Sequence, residues 1–299
     1  MRTIQLLYGL VMDIALRELR YFIASADGGS FTQAAAVLFV SQAAVSRAVA
    51  NLEDAVGERL LRRLPRGCEL TVAGQQLLPH ARRVLMEADR FNQFVETRQS
   101  VLRLGYAWAA LGKHSARLQR EWAARADGTL LALVRHNTPT AGLAEGLCDA
   151  AITRRVVQND ELDSVVVGRE RRFVAFASDD PAWARRRLVT LGEFADRTVV
   201  IDPRSGTTDA ELWADVEHQP NFAEVTDVDT WLDYIATGNG VGLTAESTAH
   251  HHPRPGITYR PVRDAPRLEV RLSWRRDARP AGLDALVNAV HDLYANDDR

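Results

Sequence analysis

Apolar residues recur at helical spacing from Ile14 to about Arg98, and the spacing then shortens and alternates. Leu16, Leu19, Phe22 and Ile23 share one face of a first helix, which Asp27-Gly28-Gly29 ends. Ser30 opens a second helix with Gln33 three residues on, the spacing of a capping box in which each side chain bonds the other's backbone N–H. Ala34, Ala35 and Leu38 give this helix a narrow apolar face. After a turn at Phe39-Val40, Ser41 is placed to cap a third helix. Its apolar set is Ala44, Val45, Ala48, Val49, Leu52 and Val56, and Gly57 stops it. Arg59 to Leu70, punctuated by Pro65 and Gly67, reads as a small hairpin or wing. Thr71 is then placed to cap a helix running to about Arg98, roughly 40 Å long at about 1.5 Å per residue. Its apolar residues Leu77, Leu78, Val84, Leu85, Phe91, Phe94 and Val95 are too many for a free helix. A second copy of the same helix is the simplest partner.

Beyond Val101, strand-like runs alternate with helical stretches. The strands are expected at Val101–Tyr106, Leu130–Val134, Ala150–Thr153, Ser164–Val167, Phe173–Ala177, Thr198–Ile201, Val241–Thr244 and Glu269–Trp274. The helices are expected at Gly112–Arg125, Asp209–Glu217, Asp229–Thr237 and Leu283–Tyr294. Alternating β and α predicts an α/β domain with a largely parallel sheet.

A chain of 299 residues accommodates two domains, and 46% hydrophobic with 25% charged residues is a globular composition. No apolar run approaches the roughly 18 residues of a membrane span. Met1 to Val11 carries only Arg2 as charge and has no small-residue cleavage site, so an extension is expected there rather than a signal peptide; Met12 offers a second start. Cys68 and Cys148 are far apart, which argues against a disulfide framework or zinc site and fits a reducing cytoplasm. The net charge of −2 divides into +2 over the first hundred residues and −4 over the rest. Any DNA contact would therefore have to come from a few placed arginines rather than bulk charge.

Two short helices joined by a tight turn suit DNA, because the second can lie in the major groove and present its first residues to base edges. The outward positions at the start of the third helix are Gln42, Ala43, Ser46, Arg47 and Ala50, with Ser41 as its cap. Gln pairs with adenine, Arg with guanine, and an Ala methyl touches a thymine methyl. Arg59, Arg62, Arg63 and Arg66 in the wing are placed for phosphate or minor-groove contact. An ordinary three-helix bundle with a solvated arginine face is the competing reading. The order of parts weighs against it: capped helix, short turn, small-residue helix, basic wing, long helix.

The segments Leu19-Arg20-Tyr21-Phe22, Gly29-Ser30-Phe31-Thr32-Gln33-Ala34-Ala35, Val40-Ser41-Gln42-Ala43-Ala44-Val45-Ser46, Leu52-Glu53, Gly57-Glu58-Arg59-Leu60-Leu61 and Leu70-Thr71-Val72-Ala73-Gly74 resemble the LysR-type transcriptional regulators over about 60 residues. The resemblance implies a helix-turn-helix from Phe31 through Ala50, with Phe31, Thr32 and Gln33 at its start. Base and phosphate contacts then fall on Gln42, Ala43, Ser46, Arg47 and Arg63. Ala43 stands where the family usually has Pro or Ser, and Leu61 where Phe is common. The first departure bears on base preference and the second on the core. The long helix resembles the family's linker, which pairs two subunits so that two recognition helices meet half-sites one turn or a multiple apart.

The resemblance also implies that the C-terminal part has the fold of type-II periplasmic binding proteins. The expected organisation is an extension (1–12), a winged helix-turn-helix (13–71), a linker helix (72–98) and a regulatory domain (99–299). Lobe I would hold about 101–168 and 266–295, and lobe II about 169–265. Phe173–Ala177 and Glu269–Trp274 would be the crossovers. In such folds ligands sit between the lobes at the C-terminal ends of strands. Four loops qualify: Ala107-Trp108-Ala109-Ala110, His136-Asn137-Thr138, Thr153-Arg154, and Asp202 to Thr208. Trp108 is a candidate for stacking on a ligand ring, and Arg154 or Arg204 for pairing with a carboxylate. Core packing for Trp108 and surface salt bridges for the arginines are the alternatives.

Other motifs point elsewhere only weakly. Ser205-Gly206-Thr207-Thr208 lacks a P-loop lysine and there is no GxGxxG. His250-His251-His252, beside Pro253 and Pro255, is expected to be an exposed loop rather than a metal tract. Cys148 is expected to pack as a small buried residue. With no nucleophile elbow, HExxH or carboxylate pair, catalysis is the weakest reading. The expectation is a cytoplasmic, homodimeric or homotetrameric regulator with no cofactor. Double-stranded DNA, a small-molecule effector and RNA polymerase are its candidate partners. The alternative is a constitutive DNA-binding protein with a vestigial cleft.

Overall fold

The computed structural model describes residues 14–97, 99–125, 128–204, 207–214, 216 and 218–296. The expected extension at 1–12 and the Ser205-Gly206 pair lie outside them. The chain divides in the main into two compact units, one running to residue 98 and one from residue 99.

The first unit begins with α1 (Leu16–Gly28), α2 (Phe31–Leu38) and α3 (Gln42–Val56). Gly29 ends α1 with φ +63°, a conformation that glycine adopts without a side-chain clash. The caps fall at the expected serines: Ser30 Oγ accepts from Gln33 N at 3.0 Å, and Ser41 Oγ accepts from Ala44 N at 3.2 Å. Of the expected capping box, this half is the one observed. α2 and α3 meet at a bend of 110°. Phe22, Val45, Leu52 and Leu60 are fully buried where the helices meet, and Leu61, at the family's Phe position, is buried with them. β1 (Leu61–Leu64) and β2 (Gly67–Leu70) form the antiparallel wing. Gly67 turns it with φ +107°, and a Cβ there would strike the Gly29 carbonyl oxygen. Thr71 Oγ1 then accepts from Gly74 N at 3.0 Å and opens α4 (Val72–Thr97). Leu78 and Ala81 of α4 pack into the head, whereas Val72, Val84, Phe91, Phe94 and Val95 are exposed.

The second unit holds three sheets. The largest has the order β4-β3-β5-β12-β6: β3 (Val101–Tyr106), β4 (Leu130–Arg135), β5 (Ala150–Thr153), β6 (Leu162–Glu170) and β12 (Leu268–Arg275). β3 runs parallel to β4 and β5, but β12 lies antiparallel between β5 and β6. The expected largely parallel sheet is thus mixed, because the last strand returns in the opposite sense. α5 (Ser115–Ala123) and α8 (Leu283–Ala295) cover it, burying Trp122, Leu286 and Val290. The second lobe centres on β7 (Arg172–Ala177), flanked by β10 (Gly242–Ala245) and β11 (Ile257–Pro261), both antiparallel to it. Beside it run the parallel strands β8 (Thr198–Ile201) and β9 (Asn221–Glu224), with α6 (Val228–Ala236) packed on Val200.

Three local expectations change. Of the helix expected at Asp209–Glu217, only a 3-10 turn at Ala210–Trp213 forms among the described residues. β9 and β11 are additional strands. The histidine tract is not a loop: His250 and His251 finish α7 (Glu246–His251), and His252 Nε2 bonds the Trp108 carbonyl oxygen at 2.7 Å. Cys148 is buried, as its surroundings predicted.

Candidate nucleic-acid interface and ligand cleft

The bend between α2 and α3 leaves the first turn of α3 open. Gln42, Ala43 and Arg47 are exposed there, while Ser46 and Ala50 are half-buried behind them. Thr32 and Gln33 are exposed at the start of α2, but Phe31 is buried. Phe31 therefore acts from beneath: the Arg63 guanidinium lies over its ring, 5.0 Å from the centroid. Arg63 Nη2 also donates to Ser46 Oγ at 2.7 Å. Three residues far apart in sequence thus form one unit, with the wing arginine fixed to the recognition helix. Of the other wing arginines, Arg62 pairs with Glu69 across the hairpin, and Arg66 is exposed at its turn. Both Arg62 and Glu69 are exposed, so the pair contributes little to stability.

Glu53 belongs to this interface although no site role was expected of it. It is buried on the apolar face of α3, and Oε1 accepts from Leu60 N at 2.9 Å and Leu61 N at 3.1 Å. Oε2 pairs with Arg59 at 2.5 Å. One carboxylate therefore joins the wing to the recognition helix. Its signal was an acid inside the apolar stripe Val45, Val49, Leu52 and Val56.

In the regulatory unit, loops after β3, β4, β5 and β8 line a cleft of about 640 Å³ including its open mouth. Trp108, Ala109, Thr138, Arg154 and Asp202 all line it, as expected. Ala110, His136 and Arg204 do not. Ala110 supplies a carbonyl oxygen to Arg154, and His136 packs against Gly142. Arg204 turns to the Thr226 carbonyl oxygen and to Asp202 Oδ1 at 3.4 Å. Residues missed in this role include Trp231, Leu243, Thr244 and Thr248. Trp231 sits within a helix pattern indistinguishable from core.

Arg154 as a ligand carboxylate clamp is corrected. Its Nε and Nη2 bond the two oxygens of Glu170 at 3.1 and 2.9 Å, and Nη1 and Nη2 bond the carbonyl oxygens of Ala109 and Ala110 at 2.9 and 2.6 Å. Both side chains are under a tenth exposed. Glu170 also accepts from Ser247 Oγ at 2.7 Å and Tyr294 Oη at 2.5 Å. Burial pushes the Glu170 carboxyl up, but the Arg154 charge and these hydrogen bonds outweigh it and hold it below the usual range. Arg154 is a strut within the cleft wall. Arg172, at the start of β7, is another: it bonds the Thr207 and Pro266 carbonyl oxygens at 2.6 and 3.0 Å. Burial draws it down to about 10, so it remains protonated near neutrality.

Trp108 meets Trp231 edge-on, with centroids 5.3 Å apart and planes at 64°. Among the described residues no group of three or more His, Cys, Asp or Glu side chains gathers as a metal site, and no single helix is long and apolar enough to cross a membrane.

A bent helix pair braced by a basic wing, followed by a three-sheet domain with a cleft at its strand ends, defines a ligand-regulated DNA-binding protein. Residues 16–75 match the bacterial regulatory helix-turn-helix protein of the lysR family, and residues 96–295 match the LysR substrate binding domain. The chain therefore belongs to the LysR family and is a DNA-binding transcriptional regulator rather than an enzyme. It is similar to the small neutral protease regulatory protein of Streptomyces coelicolor, with 30% identity over 95% of this chain and 88% of that protein. Its fold resembles that of CbnR, a LysR family transcriptional regulator (TM-score 0.70, 22% identity, 94% of this chain and 99% of that one). It also resembles full-length CbnR complexed with its target DNA (TM-score 0.67, 22% identity, 93% and 99%).

Proposed function

We propose that this regulator reads its operator with Gln42, Ala43, Ser46 and Arg47 in the major groove, with Arg63 and Arg66 anchoring the wing on the backbone. The observation that carries the reading is the Arg63–Ser46 bond, which couples the wing to the base-reading helix. Thr32, Gln33 and Ser41 stand at helix starts, where backbone N–H groups favour phosphate. Two such heads are brought together by α4 in a homodimer or higher homo-oligomer. That pairing is supported by the exposed Phe91, Phe94 and Val95, apolar surface that a helix exposes only when a partner covers it. The protein works in the cytoplasm, and RNA polymerase is the partner through which it acts.

The cleft beside Trp108 holds a small-molecule effector. The effector shifts DNA binding only if its affinity differs between two arrangements of the protein. The test starts from duplexes selected out of a random pool by the full-length protein. Footprints on those duplexes are compared with and without metabolites that raise its melting temperature saturably. An altered footprint is expected. A footprint unchanged by every such metabolite favours constitutive binding. Gln42→Ala should relax preference at one base; uniform weakening would remove Gln42 from the base-reading set.

A further inference from the structure

Two buried side-chain polar atoms on the cleft wall have no hydrogen-bond partner among the described residues: Trp108 Nε1 and Thr153 Oγ1. Buried polar groups are nearly always paired, so two orphans on one cavity wall point to a group supplied from outside. Topology brings them together. β3 and β5 are adjacent parallel strands with Tyr106 opposite Ile152, so Thr153 and the Ala107-Trp108 loop leave neighbouring strand ends about 5 Å apart. An indole N–H only donates, and a threonine hydroxyl can donate. What they lack is an acceptor.

The charges around these atoms restrict that acceptor. Arg154 is neutralised by Glu170, and four of its five N–H donors go to that carboxylate and two carbonyls. Asp202 is buried and held by Arg204 N and Asn137 Nδ2. Arg155 is exposed on the cleft wall. The rest of the wall sets apolar side chains such as Val200, Leu243 and Trp231 beside five threonines, Thr138, Thr207, Thr208, Thr244 and Thr248. Outside the Arg154–Glu170 pair the cation on this wall is Arg155, which is exposed to solvent, so a carboxylate buried at Trp108 and Thr153 would be poorly compensated for its lost hydration. A neutral carbonyl oxygen satisfies both donors without that penalty.

We propose that the cleft takes an uncharged, mainly apolar small molecule whose carbonyl oxygen is bound by Trp108 Nε1 and Thr153 Oγ1. This rests on the reading of the cleft as the effector site and adds the chemical class of the effector. Trp108 is then a hydrogen-bond donor at the head of the ligand, in place of the ring-stacking platform its residue type suggested.

The test is calorimetric titration of the full-length protein with matched amide and carboxylate pairs: benzamide and benzoate, phenylacetamide and phenylacetate, hexanamide and hexanoate. At least one amide should bind about ten-fold more tightly than its carboxylate. Trp108→Phe and Thr153→Val should each weaken that amide about five- to ten-fold, the range for one lost hydrogen bond to a buried donor. Preference for the carboxylates, unchanged affinity in both variants, or no binding by any amide overturns the proposal. Pro139→Trp, at an exposed position on the cleft wall, separates this from failure of the cleft reading. Amide binding that survives the plug removes the cleft as the site. Binding lost with the plug but untouched by Trp108→Phe and Thr153→Val leaves the cleft in place and removes only the carbonyl head group.

Discussion

Arg63 of the DNA head and Arg154 of the regulatory domain both stand where a ligand was expected, and the two regions hold them differently. Arg63 lies on an aromatic face and a hydroxyl, with its charge unneutralised and its side chain exposed. Arg154 is buried, paired with a carboxylate and capped by two carbonyls. A polyanion that approaches from solvent is met by arginines that are oriented but not spent. The small molecule proposed for the cleft would be met by neutral donors, because a bare guanidinium enclosed there would be unstable without a ligand. The difference between the regions lies in water, not in residue type.

The largest test of that contrast is Arg154→Ala, which strands Glu170 in the interior. It should lower stability by about 3–5 kcal/mol, whereas replacing both partners with leucine should cost much less. Acid unfolding reports the same pair. Glu170 titrates below its ordinary 4.5 in the folded protein, so its contribution is present above that value and is lost as pH falls through the depressed one. Melting temperature followed from pH 6 to pH 3 should drop more steeply in the wild type than in the doubly substituted protein. Equal slopes would mean that Glu170 does not carry the acid response.

In the head, Glu53→Ala should cost about 2 kcal/mol, since it frees the buried Leu60 and Leu61 N–H groups. It should also weaken DNA binding by loosening the wing; chemical denaturation and anisotropy titration read the two effects. Arg63→Ala should leave stability nearly untouched while reducing the salt slope of DNA binding by about one unit across sequences. A large stability loss there would make Arg63 structural, like Arg154, and erase the contrast. The smallest effect is expected at Phe39, which ends α2 with φ +55° and is 95% exposed. Phe39→Asn should stabilise the head by about 1 kcal/mol, because asparagine tolerates that backbone and no packing is lost.

What was legible in the sequence was local. Ser30, Ser41, Thr71 and Gly57 mark helix ends within a few residues of the backbone they serve, and the wing is one contiguous hairpin. The cleft loops were found because each follows a strand of strong pattern. The fate of Arg154 was hidden, because Glu170 lies sixteen residues on and Ser247 and Tyr294 far beyond. β9 was hidden by its exposure, Asn221 and Glu224 alternating with nothing that demands a core. β11 ends in Pro261, which reads as a break. The strand at Glu269–Trp274 was recognised, but its antiparallel seat between β5 and β6 is a long-range pairing that no window of sequence records.

That seat has a consequence for how the protein is made. β12 fills the gap between β5 and β6, and Tyr294 completes the Glu170 network, so the largest sheet waits for the last part of the chain to leave the ribosome. The second lobe, contiguous between these strands, can be finished while synthesis continues. The nascent chain thus carries an open β5 edge and an unsatisfied acid until β12 and α8 have emerged. During that interval the unfinished sheet presents an edge on which a strand of another chain can pair.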